Sequence, residues 1–524
     1  MNFLDKALYN IAPKRALKRE VARKKIDIIN SGYSNYGANT HKKSMIGWNF
    51  RGGSSKEDIS NNLDILRQRS RDLYMGVPLA TGAIKTNRTN VIGSGLKLKS
   101  QIDAEFLGMD DEEAAEWESN VEREFSIWAD SIHCDMERMN NFYELQQLAF
   151  FSWILSGDCF VTLPVNIRKN MPYDLRINLI EADRIETPPG KFADKNIECG
   201  VESNSNGEVI AYYICNRHPL STDITSENYI RIKKFGDKTG RPNILHLMEN
   251  ERIGQKRGVP ILAPVIESLK QLGRYTDAEL MAAVVSGFFT VFIESKGDST
   301  DKPFIPNINY DEEVDSEDEN SYELGPGAIM SLGEGETAKE INPGRPNTAF
   351  DGFVTSISRQ IGAALELPYE ILVKHFTSSY SASRAALLEA WKMYKMKRNW
   401  FSNDFCQPIY EEWLHEAIAK GRVKAPGFLT NAAIRKAYCG AEWNGPTQGQ
   451  IDPLKEVKAA TERVNQGFST RAKETTELTG GDFFRNAAQR VREEKLMKEV
   501  KKYDTQENSS NSEHFESTEQ NETE

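Results

Sequence analysis

Between Lys302 and Lys339 the chain carries no lysine and no arginine, and eight acids fall between Asp311 and Glu323. A stretch so charged cannot be packed into a core; it belongs in water, on a loop. Its flanks are of the opposite kind. Pro260 opens a helical segment that runs to about Phe289, and an apolar, β-like run, Phe289–Ile293, follows. On the far side Ala328–Leu332 reads as a strand closed by the turn Gly333-Glu334-Gly335. Phe350, Val354, Ile357, Ile361 and Leu365 then recur at helical spacing until Pro368 stops them. Two long helices therefore bracket an acidic, β-containing insert.

The remaining pattern is α+β and mainly helical. Leu63, Leu66, Leu73 and Tyr74 predict a helix from Asn61, interrupted at Pro78, and Asn90–Gly95 reads as a turn. Asp110–Asp111 is a cap for a one-sided stripe of Ala114, Trp117, Val121, Phe125 and Trp128. A third helix covers Phe142–Leu155. The period then changes to two, predicting strands at Cys159–Leu163, Leu175–Leu179, Glu208–Ile214, Ile230–Ile232 and Ile244–Met248. After a polar break at Val373–Tyr380, a very long helix runs from Ser381 to about Lys420, bent near Pro408. Leu387, Leu388, Trp391, Tyr394, Trp400, Phe405, Ile409 and Trp413 are its expected core contacts. Helices broken at Gly467 and Gly480-Gly481 complete the ordered part.

The ends differ from the middle. Residues 1–25 hold eight basic side chains against Asp5 and Glu20, a local charge of 8 − 2 = +6, and residues 30–60 read as a Ser/Asn/Gly-rich arm. Residues 503–524 hold seven acids and no Lys or Arg, a composition expected to be disordered. The overall charge is −11, which argues against a domain that grips DNA tightly. No run reaches the roughly 18 to 20 apolar residues that span a bilayer, and no signal peptide opens the chain, so synthesis and use in a cytoplasm are expected.

Catalytic and metal patterns are absent. Gly93-Ser94-Gly95-Leu96-Lys97-Leu98-Lys99-Ser100 lacks the Gly-Lys-Ser/Thr ending that cradles phosphate. No two of the seven histidines lie three or four residues apart, and His415-Glu416 meets Ala419 where a zincin needs its second histidine. The six scattered cysteines form no C-x-x-C pair and read as buried thiols. The expectation is a chain that is not an enzyme and needs neither cofactor nor metal.

Several short stretches, in order, resemble the lambda-type phage portal family. They are Arg69–Tyr74 with Pro78-Leu79-Ala80; Asn90–Leu96; Ser156-Gly157-Asp158; and Glu181–Ile185. They continue with His246, Gly254-Gln255 and Arg257–Pro260; Gly325–Leu332; Leu367–Leu372 with Ser379–Ala386; and Trp443 with Gln450–Glu456. The resemblance covers about 390 residues; the basic arm and the acidic tail lie outside it. It implies a ring, normally of twelve subunits, with a central channel at one capsid vertex, each subunit built from wing, stem, clip and crown. On this chain it implies a wing at 61–259, a first stem helix at 260–287, a clip at 288–346 and a second stem helix at 347–372. A channel loop at 373–380, a long wing helix at 381–423 and a helical crown at 424–502 follow, between the arm 1–60 and the tail 503–524.

The resemblance further implies double-stranded DNA passing without sequence-specific binding, a terminase large subunit docking on the clip, a head–tail adaptor, and contacts with major capsid and scaffold proteins. The virion is the expected location, with assembly in the host cytoplasm. Candidate DNA contacts are the loop residues Lys374, His375, Thr377, Ser378, Ser379 and Tyr380. On the first stem helix, Lys270 and Arg274 are candidates for either DNA contacts or intersubunit ion pairs. Asp311, Glu312, Glu313 and Asp315 are candidates for terminase docking. A conduit lined with many cations would trap its cargo by counterion release, so an acidic subunit suits the role. Two other readings stand beside it. One is a different phage structural protein, such as a head–tail connector or minor capsid protein. The other is a peripheral membrane protein held by the weakly amphipathic Phe3-Leu4…Ala7-Leu8…Ile11.

Overall fold

The computed structural model describes residues 12–15, 17–19, 21–22, 43, 52–222, 226–288, 291–295, 336–340, 349–377, 379–450 and 452–498. The chain divides into two compact units, Met1–Asp58 and Ile59–Glu524. In the first, backbone at 13–15 and 17–19 is helical, and Ser55–Asp58 forms one helical turn.

Helix α1 spans Leu63–Gly76 and α2 spans Pro78–Val91. Pro78 has no N–H to give to α1, but at the first position of α2 none is needed. Strand β1 is Lys97–Ser100, and α3 is Asp111–Ala129, capped by Asp110, whose carboxylate accepts from Glu113 N at 2.8 Å. The predicted stripe holds: Ala114, Val121, Phe125 and Trp128 are buried. Helix α4, Phe142–Ser156, begins with a full capping box between Asn141 and Glu144. It is apolar on nearly all sides, as befits a helix inside a layer. Phe125 of α3 meets Phe142 of α4 edge to face at 5.5 Å.

Strand β2, Asp158–Thr162, is buried throughout and runs between β3 (Asn178–Ile180) and β8 (Ile244–Met248), both antiparallel to it. A second antiparallel sheet has the order β4 (Ile197–Glu198), β5 (Val201–Ser203), β6 (Val209–Cys215), β7 (Tyr229–Lys233). Phe160, Ile180, Val201, Tyr212, Ile214 and Ile244 form one apolar cluster contributed by both sheets.

Helix α5, Ile266–Phe288, continues into β9, Val291–Ser295. Strand β10, Glu336–Glu340, returns antiparallel to β9 and precedes α6, Phe350–Ala364. Tyr275 of α5 packs on Phe350 and Phe353 of α6, at 5.7 and 4.8 Å. The two predicted helices and a hairpin are therefore present. The acidic residues 311–323 and the expected strand Ala328–Leu332 lie outside the described residues.

One turn of helix, α7 (Tyr369–Leu372), leads to α8, Tyr380–Phe401. A π-turn, Ser402–Cys406, joins α8 to α9, Gln407–Ala419. It lies where the sequence suggests a bend, just before Pro408. A proline offers no N–H to the preceding turn and crowds its carbonyl, and one widened turn, closed by Gln407 N to Ser402 O, relieves both. Tyr394, Phe405, Ile409 and Trp413 are buried as expected. Trp391 is half-buried, and Leu388 and Trp400 are exposed, contrary to the expected core role.

The C-terminal part comprises α10 (Ala432–Tyr438), β11 (Ala441–Asn444), α11 (Pro453–Asn465), α12 (Arg471–Thr479) and helical backbone over 483–498. Strand β11 pairs with β1 far up the chain, Leu98 opposite Trp443. Gly467 and Gly480 take left-handed φ values of 76° and 70° at the predicted breaks. All six cysteines are free, and none but Cys199 is even half-exposed. Among the described residues no helix is long and apolar enough to cross a membrane. The amphipathic stretch 3–11 and the tail 503–524 lie outside the described residues.

Candidate functional site

Four of the motifs singled out in the sequence meet around one side chain. Asp158 is fully buried at the start of β2. Its Oδ1 accepts from Arg67 Nη2 of α1 at 3.1 Å and from Arg257 Nη2 at 3.3 Å. Its Oδ2 accepts from Arg257 Nε at 2.7 Å and Gly258 N at 3.1 Å. Arg257 has donors left over, which it gives to three carbonyls: Ile185 (2.8 Å), Cys199 (2.6 Å) and Ala182 (2.6 Å). Arg67 Nε donates to Ser156 O at 3.0 Å, and Ser70 Oγ to Leu155 O at 2.7 Å. Arg71 reaches Ser156 Oγ and pairs with Asp183 and Glu181. The backbone is as tightly fitted as the charges. A Cβ at Gly258 would stand 1.9 Å from the Gly157 carbonyl, and one at Gly157 would stand 2.5 Å from that of Gly258. Gln255 steadies the approach, accepting from Glu251 N and Arg252 N and donating to Arg257 O.

This is a clamp and not a reactive centre. Both carboxylate oxygens are filled, and the group joins α1, the α4–β2 junction, the 182–185 turn and the segment that leads through Pro260 into α5. Burial alone would raise the Asp158 carboxyl, but Arg257 and then Arg67 hold it well below the usual carboxylate range. The neighbouring Cys159 thiol is pushed up to about 12 by burial, so it offers no thiolate.

His246 lies flat on Phe160 (4.1 Å) with Nε2 3.4 Å from Asp158 Oδ2. Burial drives its pKa below the ordinary 6.5, outweighing the pull of Asp158. As pH falls through 6.5 the unfolded chain takes up a proton that the folded ring resists, so this contribution is present above 6.5 and lost below. The depressed Asp158 contributes stability above its ordinary 3.8 that is lost on further acidification. Melting temperature measured against pH is thus expected to fall in two stages, and His246→Phe, which keeps the ring stack, is expected to shrink the first. An unchanged first stage in that variant would remove His246 from the account.

Glu181, Asp183 and His218 bring one ligand atom each within 4.8 Å of one another. They do not make a metal site. Arg71 already pairs with both acids, and His218 Nδ1 accepts from Leu220 N at 3.1 Å, which leaves the proton on the Nε2 that faces them.

The candidate loop is shaped by two helix ends of one design. Helix α6 closes with Leu367 N on Gly362 O (2.8 Å) and Glu366 left-handed at φ 55°. Helix α7 closes with His375 N on Glu370 O (3.0 Å) and Lys374 left-handed at φ 56°. Both are Schellman closures, yet neither uses glycine, and a non-glycine residue held there costs about 1 kcal/mol or more. Lys374, His375, Thr377 and Tyr380 are exposed; Ser379 caps α8, accepting from Ala382 N at 3.4 Å. Ser378 lies outside the described residues, as do Asp311, Glu312, Glu313 and Asp315. On α5, Arg274 is exposed, and Lys270 pairs with Asp72 of α1 in the same chain at 3.6 Å, both side chains open to solvent. Such a pair contributes little.

Sequence reasoning found the motifs but not the roles of Arg67, Gln146 or Arg398. Gln146 accepts from Leu96 N (2.6 Å) and donates to Leu96 O (3.1 Å), and Arg398 donates to Val91 and Asn90 carbonyls at 2.9 and 2.8 Å. Together they hold the Asn90–Leu96 turn. The available signal was a polar residue in an apolar run, as with Gln146 inside α4 or Asp158 at the head of β2.

A family model described as phage portal protein, lambda family, matches residues 41–398. Portal protein B of Escherichia phage lambda is 25% identical over 463 residues, covering 85% of this chain and 86% of that protein. The portal protein of Escherichia phage N15 is 25% identical over 464 residues, covering 85% and 87%. Among solved structures, the neck of an empty gene transfer agent particle, computed with C6 symmetry, aligns at 12% identity and TM-score 0.44 over 79% of this chain and 92% of that one. The neck of the native particle, with C12 symmetry, aligns at 12% identity and TM-score 0.42 over 79% and 93%. The matched 41–398 take in the Asp158 clamp, the α5–α6 pair and the Lys374 loop, and this chain belongs to the lambda family of phage portal proteins, the structural, non-enzymatic subunits of the capsid portal.

Proposed function

We propose that the chain assembles into a ring of about twelve copies at one capsid vertex, with a central channel that passes double-stranded DNA during packaging and ejection. One observation carries the reading of the assembly. Beyond Leu272, α5 presents Leu280, Met281 and Val284 to solvent, and α6 presents Phe353. A single chain leaves these apolar side chains uncovered along a helix pair, and a neighbouring copy of the same pair would bury them, at roughly 1.5–3 kcal/mol per large side chain before ordering costs. On this reading residues 61–259 and 381–423 are wing, α5 and α6 the stem, 288–346 the clip and 424–502 the crown. Asp311, Glu312, Glu313 and Asp315 then offer a terminase large subunit an acidic surface that favours rapid encounter with basic groups. Head–tail adaptor, major capsid and scaffold proteins complete the partners. Assembly takes place in the host cytoplasm and the product resides in the virion.

Within the channel, Lys374 is the DNA contact: one cation per subunit on a strained, exposed turn touches backbone without reading bases. Lys374→Asn separates charge from strain, since asparagine accepts the left-handed backbone. In a phage complemented with this variant, capsids with rings are expected to form in normal number while the DNA retained per head falls. Normal retention would remove Lys374 from the channel.

A further inference from the structure

The C-terminal helices stand off from α8, leaving a cavity of about 610 Å³ between them. Arg384, Lys395 and Arg398 of α8 and Lys455 and Arg463 of α11 line it, against the carboxylates of Glu456, Glu474 and Glu477. Five cations less three acids leave +2 around this cavity in a chain whose net charge is −11. Some of this charge is spoken for: Arg463 is bound by both oxygens of Glu474, and Lys395 pairs with Glu477 at 3.4 Å. Lys455 pairs with Asp452 at 2.8 Å, and Arg384 lies 3.9 Å from Glu456. Arg398 is different. It donates to two backbone carbonyls and lies over Trp391 at 5.3 Å, with no carboxylate against it among the described residues. Burial lowers its pKa to about 10, the mark of a cation short of compensating charge. The segment 445–450, Gly-Pro-Thr-Gln-Gly-Gln, forms a further wall. Among the described residues the amides of Gly445, Thr447, Gln448 and Gly449 donate to no backbone or side-chain acceptor.

A polar cavity with a cationic wall and unengaged amides suits a flexible chain of carboxylates. We propose that it binds an acidic peptide, and that the peptide is this chain's own C-terminal segment, residues 503–524. That segment has seven acids and no Lys or Arg. The chain that leads to it is anchored nearby at Asp482. Asp482 pairs with Lys99 of β1 at 3.0 Å, and β1 is the partner of β11, the strand that runs directly into the 445–450 segment. Helical backbone then covers 483–498, roughly 24 Å at 1.5 Å per residue. The 26 residues from 499 to 524 reach up to about 85 Å when extended, ample for a return. Bound, the tail joins α11 and α12 to α8. It also removes a cationic trap from the path of passing DNA, a consequence that rests on the channel reading, whereas the binding does not.

Zero-length carbodiimide cross-linking of the full chain, read by peptide mass spectrometry, tests this. Lys395 to Glu477 is the internal control. The expected products join Lys395 or Lys455 to acids within 503–524. Raising salt to about 0.5 M, where screening is nearly complete, is expected to remove them. Arg384→Gln with Lys395→Gln is expected to lower the Lys455 product about fivefold, as loss of roughly 1 kcal/mol implies. Lys395 is exposed and Arg384 half-buried, and an unchanged melting temperature verifies the fold. Tail acids joined instead to lysines of the basic arm, or to none, overturn the proposal. So does a short oligonucleotide that shields Lys395 and Lys455 in the intact chain, since that would make the cavity a phosphate site.

Discussion

Arg257→Met is expected to lower stability by about 3–5 kcal/mol, the cost of stripping one partner from a buried ion pair. For a protein of this size that corresponds to a fall in melting temperature of about 3–5 °C. The reason lies in what remains. Asp158 loses its closest donor, at 2.7 Å, and three carbonyls, two of them buried, lose theirs. Methionine fills the space of the stem but returns none of those bonds. Arg67→Met is expected to cost less, because Arg67 gives Asp158 a single bond at 3.1 Å and one carbonyl a second. Calorimetry on the two variants checks both the size and the order. A loss below about 1 kcal/mol for Arg257→Met, within the range of an ordinary surface pair, would mean that the clamp does not hold the wing together.

The same change from glycine to alanine is expected to have opposite effects at two positions. At Gly258 the new methyl group would stand 1.9 Å from the Gly157 carbonyl, where neither backbone can yield without breaking the Asp158 bond to Gly258 N. Overpacking of this kind costs 1–3 kcal/mol when side chains can move; here the obstruction is backbone, and a loss above about 3 kcal/mol is expected, with poor recovery of folded protein. At Gly82, inside α2, a Cβ meets nothing within 4 Å. Gly82→Ala therefore removes only the entropy that glycine loses in a helix and is expected to stabilise by up to about 1 kcal/mol. Denaturant titration of both variants reads the contrast directly, and equal effects of one sign would show that the Gly157–Gly258 contact is not as close as described.

Much of this fold was legible because local pattern and tertiary role agree. The stripe from Ala114 to Trp128 faces the core, Asp110 caps it, and Ile244–Met248 is a strand with the predicted limits. What escaped has physical causes. Strands β4 and β5 are two and three residues long, too short for a period to register. Strand β10, Glu-Thr-Ala-Lys-Glu, has no strand composition and exists through its pairing with β9. Pro408 signalled a bend, but periodicity cannot tell a kink from a widened turn. At the clamp every important residue lay inside or beside a stretch already singled out. That Arg67, Asp158 and Arg257 meet was not legible, because each partner is 91 or 99 residues from Asp158 in sequence and only the folded sheet brings them together. The loop is the reverse case: its position between two helices was clear, whereas the left-handed Lys374 gives no sign in a sequence that lacks glycine there.

Every portal role proposed for this chain depends on copies of it closing into a ring around a channel. Native mass spectrometry of the purified full chain, with negative-stain electron microscopy of the same sample, tests it most directly. Closed rings are expected, with a hole wide enough for duplex DNA and a mass about twelve times the 59.3 kDa of one chain. A species that stays monomeric or dimeric across salt and protein concentration would contradict it.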